Sequence, residues 1–183
     1  MSCASSHAVV LDGLTFEDSR LIKDQSLVLN GVGKRVVLFF DAYYAALYLP
    51  KPSNSFTEIT ERAGPRQLDI RLLRDVQLSS LESLLVDGVT KNSSSADLAA
   101  ITPALNQLLE TMRRIKTFKR GDVLQLTFTG AVTQVVINSV AAGATIGDVA
   151  FNYALLSIWL GQRPIDQGLK DQLLGARRSG PPQ

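Results

Sequence analysis

The sequence predicts an α+β fold in which helices pack on one face of a largely antiparallel sheet. Runs rich in β-branched and aromatic residues come first, amphipathic helical repeats fill the middle, and a hairpin followed by further helices ends the chain. With 183 residues, 45% of them hydrophobic, the chain is long enough to bury one sizeable core. We expect a single domain over residues 9–175, between a disordered stretch at 1–8 and a flexible tail at 176–183.

Six strands are predicted in the first half of the chain from their content of β-branched and aromatic residues. They lie at residues 9–11, 14–16, 26–30, 36–40, 43–49 and 67–73. Asp12-Gly13 predicts a hairpin turn between the first two, and Gly31-Val32-Gly33 predicts a turn after the third. Pro50 is expected to end the fifth.

Five helices are predicted between residues 56 and 174. Apolar residues at three- and four-residue steps predict helices at 56–63, 80–91, 96–115, 146–160 and 167–174. The fourth is apolar on nearly every face, so we expect it to be buried on several sides. Two β-rich runs at 123–129 and 133–138 flank Gly130 and predict a hairpin.

The charge of the chain does not favour nucleic acid as a partner. The net charge is +2, with lysines and arginines scattered among nearly as many acids. The tightest basic cluster comprises Arg113, Arg114, Lys116, Lys119 and Arg120. It follows a predicted helix, whose negative dipole end favours cations, so a solvated helix end is the simpler interpretation.

Metal sites and redox pairs are not expected. Cys3 is the only cysteine and His7 the only histidine, and both lie in the small, polar N-terminal stretch. We therefore predict no metal and no cofactor.

No run of about 20 apolar residues is present, so we expect a soluble protein without stable membrane insertion. The first eight residues lack the basic and apolar regions of a secretory signal. Ser5-Ser6-His7-Ala8 is also consistent with the end of a signal region that was trimmed. Export to the periplasm and a cytoplasmic location both stay open.

Five sequence blocks, in order along the chain, carry a resemblance to a known family. They are LNGVGKR at 29–35 with AALYLP at 45–50, LLRDV at 72–76, KRGD at 119–122, ALLSIWLG at 154–161, and Leu169-Lys170. Together they resemble the chalcone isomerase superfamily, and most closely its bacterial chalcone isomerase-like branch, whose members are often exported. The resemblance implies an open-faced β-sandwich: a large antiparallel sheet covered by a helical layer, with a ligand cleft between the layers.

Arg35 is the first candidate for ligand binding. It opens an apolar strand in which Arg35, Val37 and Phe39 are expected to share one face, so its guanidinium would lie at the rim of a hydrophobic layer. A planar guanidinium matches a carboxylate in two parallel hydrogen bonds. The resemblance implies that this arginine lines the active site in chalcone isomerases and holds the carboxylate in fatty-acid-binding relatives. The alternative is an arginine that caps sheet-edge carbonyls or pairs with Asp41.

Tyr43 is the second candidate. Strand alternation places Tyr44 and Tyr48 on one face of the sheet and Tyr43 on the other, with Ala45 and Leu47. The resemblance aligns Tyr43 with an active-site threonine of the plant isomerases. Its phenol would then donate to a carboxylate beside Arg35, or it would only fill the core.

Three further positions depart from the plant pattern. A gapless alignment puts Ser80 and Asp87 where the plant isomerases have a tyrosine and an asparagine, and Ile158 where they have a threonine or serine. A register slip of one would bring in Ser157 instead. A carboxylate at Asp87 would repel a phenolate substrate, Ser80 is too short to polarise a ketone as tyrosine does, and Ile158 has no hydrogen-bonding group.

Because of these departures, the first hypothesis is that the protein is not catalytic. It would bind a fatty acid or similar amphipathic or aromatic acid in the cleft, with Arg35 and Tyr43 at the head group. An isomerase of the chalcone–flavanone type, an intramolecular lyase, is the second hypothesis. A protein-interaction module with a vestigial cleft is the third, and the sequence does not identify a protein partner.

Overall fold

A computed structural model describes residues 8–115 and 117–175 of the protein. Its strands are β1 Val9–Leu11, β2 Leu14–Phe16, β3 Ser19–Ile22, β4 Gln25–Val37, β5 Phe40–Leu49, β6 Arg66–Leu72, β7 Val123–Thr129, β8 Val132–Ile137 and β9 Val140–Ala141. Its helices are α1 Phe56–Glu61, α2 Leu78–Asn92, α3 Ser95–Arg113, α4 Val149–Leu160 and α5 Gln167–Leu173. The stretch predicted to be disordered at 1–8 lies outside the described part except for its last residue, and the tail predicted at 176–183 lies wholly outside it.

The predicted α+β fold is confirmed. Strands β3 to β9 form one seven-stranded sheet in sequence order, and every pairing in it is antiparallel. Strands β1 and β2 form a separate hairpin. The helices pack on one face of the large sheet, where their apolar side chains and those of the sheet form the main core.

Strand β5 divides two cores by simple alternation, as the sequence predicts. Tyr43, Ala45 and Leu47 belong to the main core beneath the helices. Tyr44 and Tyr48 point to the opposite face, into a smaller core that the β1–β2 hairpin helps to cover. A period-two side-chain pattern places successive residues on opposite faces, so this strand is buried on both.

The turn predicted at Gly31-Val32-Gly33 is wrong. Strand β4 runs without a break through both glycines, and neither glycine has a positive φ. A Cβ on Gly31 would lie 2.1 Å from the Gln172 carbonyl oxygen, so the glycine allows the backbone of α5 to pack directly on the strand. The chain instead reverses at Leu38 and Phe39, between Val37 and Phe40.

Two edge strands and one helix start differ from the sequence prediction. Strands β3 and β9 were not predicted, because both are short and β3 is flanked by charged residues, as is common at sheet edges. Helix α4 begins at Val149 because the Asp148 carboxylate accepts the Phe151 backbone N–H at 2.9 Å. Ile146 instead forms a β-bridge with Thr133.

Helices α2 and α4 cross closely above the sheet. A Cβ on Gly88 of α2 would lie 2.8 Å from Ile158 Cγ2 of α4, so the glycine makes room for the isoleucine. Asn92 ties the end of α2 to the segment after α4, since its side chain donates to the Arg163 carbonyl and accepts the Arg163 N–H. These contacts hold α2 over the sheet.

A test of the close packing at β4 is the Gly31→Ala variant. The added methyl group meets backbone atoms of α5 that cannot rotate away, so we expect the variant to lose about 3 kcal/mol of unfolding free energy in urea denaturation. Gly168→Ala is the matched control, because its Cβ would meet the nearest side-chain oxygen at an ordinary 3.4 Å. We expect that control to be neutral or stabilising by up to about 1 kcal/mol. Equal stability of the two variants would contradict this packing.

Candidate functional site

A cavity of about 460 Å³ lies between the sheet and the helices. Its floor includes Ile70 and Leu72 of β6 with Leu124 and Leu126 of β7, and its other walls come from α2, α3 and Trp159 of α4. Most of this lining is apolar. A pocket of this size and character can hold a small amphipathic molecule.

Arg35 and Tyr43 meet at the cavity because of strand register. They are direct cross-strand partners in the β4–β5 ladder, and both line the cavity. The Arg35 guanidinium carbon lies 5.8 Å from the centre of the Tyr43 ring. Neighbours of this kind on one sheet face place their side chains together.

Tyr43 is held by Trp159. The indole Nε1–H donates to the phenol oxygen at 3.0 Å, and both residues are buried. Since the phenol oxygen accepts this bond, its own proton is available to a ligand. Burial raises the pKa of Tyr43, and the nearby Arg35 and the bond from Trp159 only partly oppose this. At neutral pH the phenol is therefore a donor.

Arg35 has no ion pair among residues 8–115 and 117–175. The alternative pairing with Asp41 is wrong, because Asp41 binds Lys34 at 2.8 Å. Lys34 lies on the opposite face, near the Tyr44 ring, and also contacts Asp12. Hydrogen bonds to Asp41 and Asp12 raise the pKa of Lys34. The half-buried Arg35 guanidinium thus faces the cavity side with its charge unbalanced by a carboxylate.

Ser80 and Asp87 lie on α2, about two turns apart, and both line the cavity. Each is exposed, so they lie at its rim. Lys91, one turn beyond Asp87, and Arg163 line the cavity as well. With Arg35, the charged residues of the lining are three cations and one carboxylate, which favours an anion.

Ile158 lies outside the cavity lining. It is fully buried, packs against Gly88, and is not part of the cavity lining. Ser157, the alternative at that position, donates its hydroxyl to the Ala154 carbonyl within the same helix. The structure brings four of the five candidate residues to the cavity and separates Ile158 from it.

Sequence reasoning missed Trp159, Lys91 and Arg163. Trp159 carried a usable signal, because a buried indole N–H usually finds an acceptor and a tyrosine is a suitable one. Lys91 and Arg163 carried none, since a charged residue near the end of a helix is usually solvated.

Residues 8–115 and 117–175 contain no group of three histidine, cysteine, aspartate or glutamate side chains placed to hold a metal ion. None of the helices in that part is both long and apolar enough to span a membrane.

Comparisons with known proteins point to one family. A family model described as chalcone isomerase-like matches residues 8–175. The crystal structure of a fatty-acid binding protein from Arabidopsis thaliana matches with a TM-score of 0.72 at 16% sequence identity, over 92% of this chain and 96% of that one. No curated protein matches the chain in sequence. At this identity the structural likeness concerns the fold.

The buried phenol of Tyr43 predicts a loss of stability in alkali. Its pKa is raised in the folded protein, whereas in the unfolded chain it ionises near pH 10, at about the usual value. The stabilising contribution is therefore complete below about pH 10 and is lost as the pH rises toward the folded-state value. In urea unfolding between about pH 8 and pH 11, the free energy of unfolding should fall less for Tyr43→Phe than for the wild type.

The pKa of Tyr48 is also raised by burial, so Tyr48→Phe should reduce the alkaline loss further when it is combined with Tyr43→Phe. Identical pH profiles for the wild type and Tyr43→Phe would show that the phenol ionises alike in both states.

Proposed function

The protein belongs to the chalcone isomerase-like family, and on this basis we propose that its cavity binds a fatty acid or a similar amphipathic or aromatic acid. In this proposal Arg35 and Tyr43 hold the carboxylate and the apolar walls hold the chain. Assignment to a bacterial branch of the family, and export from the cytoplasm, stay predictions.

The observation that carries the proposal is that Arg35 lies at an apolar cavity and has no ion pair with any described residue. A guanidinium beside an apolar layer loses hydration, and a carboxylate restores both charge balance and hydrogen bonds. The adjacent Tyr43 phenol supplies a further donor on the same sheet face. A carboxylate bound between them would receive charge-assisted hydrogen bonds, which are shorter and stronger than neutral ones.

The shape and charge of the lining support an amphipathic ligand. Apolar side chains make up most of the wall, among them leucines and isoleucines of the sheet and of α2, so an alkyl chain or aromatic ring loses contact with water when it enters. Lys91 and Arg163 outnumber Asp87 at the cavity, which disfavours a cationic ligand. The similar Arabidopsis structure is that of a fatty-acid binding protein, and this supports the ligand class.

An isomerase is the second candidate, because Arg35 and Tyr43 are donors that could also stabilise a developing oxyanion. Against it stand the Asp87 carboxylate at the cavity and the position of Ile158 outside it. The third hypothesis, a protein-interaction module with a vestigial cleft, requires no ligand. Mass spectrometry of lipid that co-purifies with the protein separates this hypothesis from the first.

Arg35→Ala should weaken binding of a fatty acid by about tenfold or more, because it removes a charge-assisted hydrogen bond. Trp159 is the only tryptophan and lines the cavity, so quenching of its fluorescence by ω-bromododecanoic acid measures occupancy. Tyr43→Phe should weaken binding less, since only a neutral donor is lost. Folding should survive in both variants.

Lys34→Ala is the matched control for Arg35→Ala. It removes the same charge from the preceding residue of β4, and the Lys34 side chain lies on the opposite face of the sheet. We expect its affinity for the bromo acid to equal that of the wild type. If Arg35→Ala and Tyr43→Phe both bind like the wild type, these residues do not form the head-group site.

The protein should not measurably accelerate ring closure of a chalcone over the spontaneous reaction. The reason is the combination of Ser80 and Asp87 at the cavity with no hydrogen-bonding group at Ile158. The measurement is absorbance of chalcone with and without protein. Saturable, protein-dependent flavanone formation that disappears in Arg35→Ala would favour the isomerase instead.

A further inference from the structure

The β4–β5 hairpin ends in an exposed apolar tip, which we define as residues 36–40. Its sequence is Val-Val-Leu-Phe-Phe, and all five residues are exposed. Leu38 is 82% exposed and Phe39 is 94% exposed. Single exposed apolar residues are ordinary, but five consecutive ones on a protruding hairpin point to a binding surface.

The backbone at the tip is also unusual. Leu38 occupies the first position of a two-residue hairpin loop with φ of 56°, a conformation in which glycine or asparagine is favoured and a bulky residue is rare. A leucine here costs folding free energy and gains no burial in return. Local choices of this kind are expected where function requires the side chain.

Arg74 lies against the tip, and the backbone of Arg120 is bound to Asp75, the neighbour of Arg74 in the chain. The Arg74 guanidinium carbon lies 4.7 Å from the centre of the Phe40 ring, and the Arg120 backbone N–H binds Asp75 beside it. The nearby acids are already neutralised, because Asp41 pairs with Lys34 and Asp75 pairs with Lys119. Within the described residues, neither Arg74 nor Arg120 has an ion pair of its own.

We propose that this tip docks on the surface of an anionic phospholipid bilayer. Leu38 and Phe39 enter the boundary between headgroups and acyl chains, where aromatic and aliphatic side chains are favoured. Arg74 and Arg120 remain at the level of the phosphates, as long cationic side chains do at membrane interfaces. The shallow tip anchors the protein without spanning the bilayer.

A bilayer fits this surface better than a protein partner does. A stable protein interface buries about 800 Å² on each side with 20–30 residues, whereas the tip consists of five exposed residues of one hairpin. A fluid bilayer needs no complementary pocket for such a projection. Arg35 and Val37 of the same hairpin line the cavity, so docking would bring the cavity to the membrane surface. The inference goes beyond the proposed function and does not require it.

The test is co-sedimentation with vesicles of mixed phosphatidylcholine and phosphatidylserine, compared with phosphatidylcholine alone. The wild type should bind the anionic vesicles more strongly, and salt should weaken that binding. Leu38→Asn/Phe39→Ser should lower the affinity at least about tenfold, because two apolar side chains no longer enter the interface. Arg74→Ala should lower it about fivefold.

The double variant should fold, because asparagine suits a positive φ and both positions are exposed. Thermal unfolding checks this. Leu21→Asn/Val140→Ser is the matched control: it removes two residues that are each 69% exposed, on the two edge strands β3 and β9. This control should bind vesicles as the wild type does.

Absence of wild-type binding to anionic vesicles, or equal loss in the tip variant and the control, would overturn the inference. So would a tip variant that changes only self-association in light scattering, since the tip would then join copies of the chain. The tip variant should still bind ω-bromododecanoic acid in vesicle-free buffer. If the wild type binds ω-bromododecanoic acid but does not bind anionic vesicles, the membrane-docking inference is wrong and the proposed function still stands.

Discussion

The hydrogen-bonded ladder between β4 and β5 decides the position of the candidate site. Its register places Arg35 opposite Tyr43 and brings the chain to its reversal after Val37. The ladder passes two bulges, and α5 packs directly on the glycines of β4. A one-residue slip would move Arg35 to the other face of the sheet and leave the cavity without its cation.

An arginine on one face of the sheet has a carboxylate partner, whereas Arg35 on the other face has none among the described residues, and this difference supports a ligand at Arg35. On the face away from the helices, Arg20 pairs with the buried Asp69 at 2.8 Å and stacks over the Tyr48 ring. On that face the charge of Arg20 is therefore balanced by a carboxylate of the protein itself. Within the described part of the chain, no carboxylate lies within ion-pair distance of Arg35 on the cavity face. A ligand with a negative charge would balance the charge of Arg35 on that face.

Several features in and around the β4–β5 hairpin lower the stability of the folded protein. An apolar cavity sacrifices packing contacts, the half-buried Arg35 has no carboxylate partner among the described residues, and Leu38 adopts a backbone conformation suited to glycine. Arg35 and Leu38 lie close together in the β4–β5 hairpin, and Arg35 is also part of the cavity lining. Such departures from local rules tend to gather at functional sites, where the missing contacts are made to another molecule.

Local patterns in the sequence determined the α+β class, most strands and helices, and the sorting of Tyr43, Ala45 and Leu47 from Tyr44, because these depend only on the period of neighbouring side chains. The family resemblance directed attention to Arg35. Only the tertiary structure decided that Gly31 lies in a continuous strand, that Ile158 packs away from the cavity and that Trp159 holds the phenol. Each of these depends on an element more than 60 residues away, at Gln172, Gly88 or Tyr43. Contacts between distant segments leave no period in the sequence, so only the folded chain reveals them.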